Sequence, residues 1–235
     1  MMFSLLLAAT VLAVPAGTQD TPQEMTTYQM VFLKKGPTPP PSAPADQKKM
    51  QDEHLANLAE LNRKRINLVY GPIRAENPDG LEGIAVLDVS SADAAKAHFA
   101  ADPFVKAGIM TVEVRPWMGP KGWFQPPVGD DVTNAGNLEP LIFGFLMRGP
   151  NTSQDSATAQ EIQKGHLAYM SSLNKQGKLV MAGPFMDSGA ARGVVVYRVK
   201  DVAEAKALAA DDPAVKAGRL VLEAYPWMTL KGILK

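Results

Sequence analysis

One histidine and one carboxylate in the second half of the chain could together move protons. His166 lies four residues after Ile162 and four before Met170, the spacing of one helical face, and Asp187 follows the next predicted strand. A carboxylate that accepts a hydrogen bond from one imidazole nitrogen leaves the other nitrogen free as general acid or base. We therefore predict a catalytic pair of His166 and Asp187. Elimination, isomerisation and hydrolysis would all suit such a pair.

The composition excludes several other kinds of site and partner. The 235 residues include 24 Lys and Arg and 24 Asp and Glu, so no net charge attracts nucleic acid, and none is predicted as a partner. The chain has no cysteine, which excludes thiol nucleophiles and disulfides. His166 and Asp187 alone are too few ligands for a metal, and no cofactor motif is present. The expected partner is therefore a small-molecule substrate or ligand, with no cofactor.

The start of the chain is typical of a secretory signal. Residues 1–16 read MMFSLLLAATVLAVPA, an apolar run that ends in small residues. We predict a signal peptide cleaved after Ala16, a flexible lead over 17–26, and a periplasmic or secreted protein with no membrane contact after cleavage. An uncleaved anchor is the alternative, because the run lacks Lys and Arg.

The elements that position His166 occur twice. Matching residues lie 110 to 113 positions apart, among them His54 and His166, Gly71 and Gly183, and Trp117 and Trp227. The offset changes only inside predicted loops, which indicates a tandem duplication. The predicted divisions are repeat 1 over 27–117, a linker over 118–138 and repeat 2 over 139–235.

Each repeat has the order strand, helix, strand, strand, helix, strand, which predicts an α+β, ferredoxin-like βαββαβ fold. In repeat 1 the last strand is predicted over 110–114, because Pro116 follows it. The runs 141–147 and 193–197 are almost continuously apolar, so both faces of that sheet should be buried. We therefore predict that the two sheets pack face to face as a fused dimeric α/β barrel, an intramolecular pseudo-dimer that could assemble further into a homo-oligomer.

The motifs resemble those of the YCII-related family in both repeats. They are the segments 182–187 (AGPFMD), 212–218 (DPAVKAG) and 226–227 (PW), together with the inward helix histidine. The resemblance implies a dimeric α/β barrel with a His and Asp active site. It also implies a small-molecule activity, since some members are linked to dehydrochlorination or ring cleavage. Carried over residue by residue, the pair is His166 and Asp187, and repeat 1 supplies His54.

Repeat 1 departs from this pattern at the carboxylate. The position that matches Asp187 is Ala75, so His54 would lack its partner unless Glu76 or Asp79 reaches it. We therefore expect a degenerate site in repeat 1 and one working site, in repeat 2.

Two plainer interpretations remain open. His166 could be a core histidine bonded to the backbone, and the chain a non-catalytic ligand-binding or assembly module. The recurrence of His54 favours function. The Asp102-Pro103 and Asp212-Pro213 pairs are interpreted as helix punctuation and are not assigned to chemistry.

Overall fold

The computed structural model describes residues 24–77, 79–126 and 135–234. The predicted signal peptide lies outside the described residues, and so does most of the predicted lead. Among the helices that are described, none is both long and apolar enough to cross a membrane.

Repeat 1 follows the predicted order of elements, with one short additional helix. Its elements are β1 (Met25–Lys35), α1 (Pro44–Arg63), β2 (Asn67–Pro72), β3 (Leu81–Leu87), α2 (Ala92–Phe99), α3 (Pro103–Lys106) and β4 (Met110–Pro120). Asp102 caps α3 by accepting a hydrogen bond from the backbone N–H of Phe104. The Asp-Pro pair therefore punctuates the helices as predicted.

Repeat 2 has the same order after a short 3-10 turn at Ala135–Asn137. Its elements are β5 (Leu138–Arg148), α4 (Ser156–Lys175), β6 (Leu179–Pro184), β7 (Ala191–Tyr197), α5 (Val202–Asp211), α6 (Pro213–Lys216) and β8 (Leu220–Leu230). The strand orders are β2-β3-β1-β4 and β6-β7-β5-β8, and all pairs are antiparallel. The predicted α+β class with two four-stranded sheets is confirmed.

The two sheets share one aromatic core. The rings of Phe32 in β1 and Phe145 in β5 lie 5.4 Å apart, centroid to centroid. Isolated antiparallel bridges join Ile73 to Trp227 and Trp117 to Phe185, so the edge of each sheet meets the other repeat. The continuous apolar runs are thus explained by helices on one face of each sheet and the opposite repeat on the other.

The Gly-Pro pairs at the ends of β2 and β6 allow this close approach. A Cβ atom on Gly71 would overlap the carbonyl oxygen of Met228, and one on Gly183 would overlap that of Met118. These glycines therefore do more than mark turns, since each lets the backbone of one repeat contact the last strand of the other.

Candidate active site

Helix α4 positions His166 above the second sheet. Asp155 caps the helix by accepting hydrogen bonds from the backbone N–H groups of Ala157 and Thr158. Met170 is buried one turn after His166, so this face of the helix packs on the sheet. The His166 side chain is 12% exposed, which leaves part of the ring accessible.

The carboxylate partner of His166 is Asp212. His166 Nδ1 lies 2.7 Å from Asp212 Oδ2, and the aspartate is almost fully buried. The second oxygen, Oδ1, accepts a 2.8 Å hydrogen bond from the backbone N–H of Ala214, at the start of α6. An ionised carboxylate only accepts hydrogen bonds, so this contact assigns the proton to Nδ1 when Asp212 is ionised, and a neutral imidazole in that tautomer has its lone pair on Nε2.

Repeat 1 has the same pair. His54 Nδ1 lies 2.7 Å from Asp102 Oδ2, and Asp102 Oδ1 accepts from the backbone N–H of Phe104 at 3.1 Å. The side-chain amide of Asn57 donates a further hydrogen bond to Oδ2 at 3.3 Å. His54 therefore has a carboxylate partner despite Ala75, and the basis for expecting a degenerate site in repeat 1 was wrong.

The predicted hydrogen bond between His166 and Asp187 is not formed. Arg115 of repeat 1 binds Asp187 with two nitrogen atoms, one of them Nε at 2.8 Å from Oδ2, and its guanidinium lies 3.7 Å from the centre of the Phe185 ring. The segment after β6 crosses to repeat 1, where Met186 N–H donates to Pro116 O. This path carries Asp187 to the junction of the repeats and away from His166.

The surroundings of Asp187 are those of an ion pair. The hydrogen bond from Arg115 is the main reason that the pKa of the Asp187 carboxyl lies below its ordinary value. In the pseudo-symmetric junction the corresponding residues are Tyr225 and Ala75, so both partners are replaced together. Ala75 is therefore the counterpart of an ion-pair residue and not of the histidine's partner, and neither Glu76 nor Asp79 is needed to complete the pair at His54.

His166 faces a cavity of about 740 Å³ between α4 and the helix-covered face of the second sheet. Its apolar lining includes Leu146, Met170 and Val195, which pack together on this face of the sheet. Met25 lies in β1 and Met118 in β4, which both extend beyond the predicted bounds of repeat 1, so the sheet of repeat 1 completes the cavity. A volume of this size is typical of small-molecule sites.

The corresponding cavity at His54 is smaller, about 410 Å³. Tyr70 lines it where Ala182 lines the larger cavity, and burial raises the pKa of the Tyr70 hydroxyl to about 12. The ring of Phe104, which stands where repeat 2 has Ala214, lies 5.2 Å from the His54 ring. Two large side chains thus restrict the repeat 1 cavity beside its histidine.

A repeated pattern in the sequence could have predicted which aspartates bind the two histidines. Histidines occur at matching positions in both repeats, and so do Asp102 and Asp212, whereas Asp187 has no counterpart. A residue that forms a hydrogen bond with the histidine in each repeat should itself be present at matching positions of both repeats.

Comparisons with solved structures show the same fold at low sequence identity. A protein proposed to be a chlorite dismutase is 14% identical, with 89% of this chain and 94% of that chain covered and a TM-score of 0.54. A heme-binding protein from Thermus thermophilus is 13% identical, with 91% and 96% covered and a TM-score of 0.54. A chlorite dismutase from Candidatus Nitrospira defluvii is 11% identical, with 89% and 92% covered and a TM-score of 0.50.

Sequence comparison identifies the family. No curated protein sequence matches the chain. The family model of the YCII-related domain matches residues 30–118 and 145–228, one segment in each repeat and together well over half of the chain. The chain therefore belongs to the YCII-related domain family, of which it contains two tandem copies.

Proposed function

We propose that the protein is a small-molecule enzyme in which His166 transfers a proton and Asp212 fixes the orientation of the imidazole. The observation that carries the proposal is the 2.7 Å hydrogen bond between His166 Nδ1 and Asp212 Oδ2 beside a cavity of about 740 Å³. Within the described residues no group bonds to Nε2, so that nitrogen can meet a substrate.

The chemistry that this pair favours starts with proton abstraction. Nε2 would remove a proton from carbon or oxygen of the substrate, and Asp212 would stabilise the imidazolium that results. In an isomerisation the imidazolium would return the proton to a different atom of the substrate. In an elimination the electron pair of the broken C–H bond would form the new double bond and expel the leaving group as an anion, which can take the proton from the imidazolium. Hydrolysis would use the same nitrogen to activate water. Asp187, bound to Arg115, takes no part in this scheme.

We place the working site in repeat 2. Both repeats contain the pair, but Phe104 and Tyr70 restrict the cavity at His54. The matching residues Ala214 and Ala182 leave the larger cavity open at His166. The difference between the repeats therefore lies in the space beside the histidine rather than in the pair itself.

Deuterium exchange from solvent would test the proposal, because proton abstraction from carbon is common to elimination and isomerisation. Small carbonyl compounds and halogenated phenols are incubated with the protein in D₂O, and loss of the C–H signal is followed by NMR. We expect deuterium exchange with wild type. The exchange rate should fall by about 100-fold or more in His166→Ala and should be unchanged in the matched variant His54→Ala. Exchange that persists in His166→Ala would contradict the assignment.

A second candidate function is the binding of a prosthetic group such as haem. The observation that favours it is the hydrogen bond between Asp212 and His166 Nδ1. Histidines that bind metals are commonly oriented by a carboxylate in this way. One structural neighbour is described as heme-binding. The residues present fit such a group, because His166 Nε2 is open and the cavity is mainly apolar. Haem would supply redox chemistry, and this chain would supply the imidazole ligand. A Soret band that needs His166, without any deuterium exchange, would favour this function.

Export from the cytoplasm is part of the proposal. It is supported by the apolar run at residues 1–16. Amino-terminal sequencing of the mature protein would test it, and a chain that still begins at Met1 would argue against cleavage after Ala16.

A further inference from the structure

Three arginines line the cavity at His166, and each comes from a different strand end. Arg148 is the last residue of β5, Arg192 lies near the start of β7, and Arg219 immediately precedes β8. The strands are neighbours, and the register places Arg148 opposite Leu220 and Met147 opposite Ala191. The sheet therefore brings the three guanidinium-bearing residues to one end of the cavity.

These arginines are not neutralised by the protein. In the part of the chain that the structure describes, none of them forms an ion pair with a carboxylate. Arg148 donates to the hydroxyl of Thr152 at 3.2 Å and Arg219 to the side-chain oxygen of Gln154 at 2.7 Å, both neutral groups. The described lining includes no Asp or Glu, and Asp212 is engaged behind His166. Cations gathered without counter-charges favour an anionic ligand.

The repeat 1 cavity lacks this feature, which makes it specific to the larger site. The positions that match Arg148, Arg192 and Arg219 are Lys35, Glu82 and Ile109. Of these only Glu82 lines the smaller cavity, together with one arginine, Arg74. The charges of that lining are balanced, whereas those of the repeat 2 lining are all positive.

We propose that the repeat 2 site takes amphiphilic organic anions, whose carboxylate or phosphate is bound by Arg148, Arg192 and Arg219. Arginine matches both groups because its planar fork donates two parallel hydrogen bonds to two oxygens. The apolar lining from Leu146, Met170 and Val195 would hold the hydrocarbon part of the ligand. The proposal rests on the proposed function for the location of the site and adds the class of substrate.

Calorimetric titration with three ligands of one shape would test the inference. The ligands are naphthalene-2-carboxylate, 2-naphthyl phosphate and the neutral naphthalene-2-carboxamide. Wild type should bind at least one anion about tenfold or more tightly than the amide. The anion that binds more tightly decides between a carboxylate and a phosphate site.

Variants connect this preference to the arginines. In the double variant Arg192→Gln and Arg219→Gln, anion affinity should fall about 10- to 100-fold. Affinity for the amide should stay unchanged, which shows that the cavity is intact. Arg74→Gln is the matched control in repeat 1 and should keep the full preference.

The inference is overturned by equal affinity for anion and amide, by no binding of either anion, or by a preference that survives the double substitution. Loss of the preference in Arg74→Gln would also overturn it, by placing the site in repeat 1. His166→Ala should keep the anion preference while losing deuterium exchange. Failure of the proposed function therefore appears as exchange that is absent in wild type or persists in His166→Ala, whereas failure of this inference appears as lost discrimination between anion and amide.

Discussion

Each histidine is held by an aspartate that performs two tasks. In Asp212 one oxygen caps α6 and the other accepts from His166. The cap fixes the carboxylate to a helix terminus, so the imidazole is oriented by a group that cannot easily turn away. Asp102 does the same for His54. The helix cap and the orientation of the imidazole therefore depend on the same side chain.

We predict that Asp212→Asn separates the two tasks. Asparagine is also a good helix cap, so the fold should be retained. Its side-chain amide can donate to Nδ1, which would move the ring proton to Nε2 and remove the base from the cavity. The deuterium exchange rate should fall about 100-fold or more, and long-range ¹H–¹⁵N correlation spectra should show the change of tautomer.

Asp187→Asn is the matched control for that substitution. It removes a carboxylate of the same repeat that contacts Arg115 and not His166. Neither the tautomer of His166 nor the exchange rate should change. If Asp212→Asn kept the proton on Nδ1 with full activity, or if Asp187→Asn had the larger effect, the assignment of Asp212 would fail.

The structure places a carboxylate beside His166, as the sequence predicted, but that carboxylate is Asp212 and not Asp187. His166 is recognisable because a polar ring recurs on an apolar helical face. Its partner lies 46 residues away, beyond two strands and a helix, and only the packing of α6 against α4 brings it near. Asp187 was predicted because it is close to His166 in the sequence and follows the next strand. The recurrence of an aspartate at positions 102 and 212 would have predicted the observed partner.

Among the elements, the two long helices end in the same way with different residues. Gly177 follows α4 with φ of +69°, and Arg65 takes the corresponding place after α1 with φ of +57°. The left-handed conformation suits glycine and strains other residues. The Arg65 side chain donates to the backbone oxygen of Phe124 at 2.8 Å, which ties this strained turn to the segment after β4.

We predict that Gly177→Ala lowers the free energy of unfolding by about 1 kcal/mol. No atom lies within 4 Å of a Cβ built on Gly177, so the cost is the backbone conformation alone. Denaturant titration would measure the change. The neighbouring Gln176→Ala is the control, because its φ of −82° suits any residue, and it should change stability by less than about 0.5 kcal/mol. Equal effects of the two substitutions would contradict this account.

The order of elements could be predicted from the sequence, but strand lengths could not. The interruption at Pro116 predicted that β4 ends by residue 114, yet the strand continues to Pro120. Its second half pairs with the start of β1, where Met25 lies opposite Pro120. The end of β4 is set by the length of its neighbour β1, which cannot be predicted from the residues of β4 alone.

At the scale of the whole molecule, both repeats contribute residues to each of the two cavities. Met25 and Met118 of repeat 1 line the cavity of repeat 2, and Leu138 of repeat 2 lines that of repeat 1. Continuous apolar runs were sufficient to predict two buried faces for the sheet. The residues that cross between repeats could not be predicted, because they depend on the register of the two junctions.

The Arg115 and Asp187 ion pair joins the repeats at one junction only, and its contribution should depend on pH. The pKa of Asp187 in the folded state is lowered, chiefly by its hydrogen bond from Arg115, so the pair stabilises the fold fully above the unfolded pKa of about 3.9 and progressively less as pH falls through the folded value. The Asp187 side chain is 36% exposed, which limits the expected coupling to about 0.5 to 1 kcal/mol. A double-mutant cycle with Arg115→Gln and Asp187→Asn, measured by urea denaturation, should give this coupling at pH 7 and a smaller one as the pH is lowered below the unfolded pKa. A coupling that does not change with pH would show that the contact stabilises the junction by packing rather than by charge.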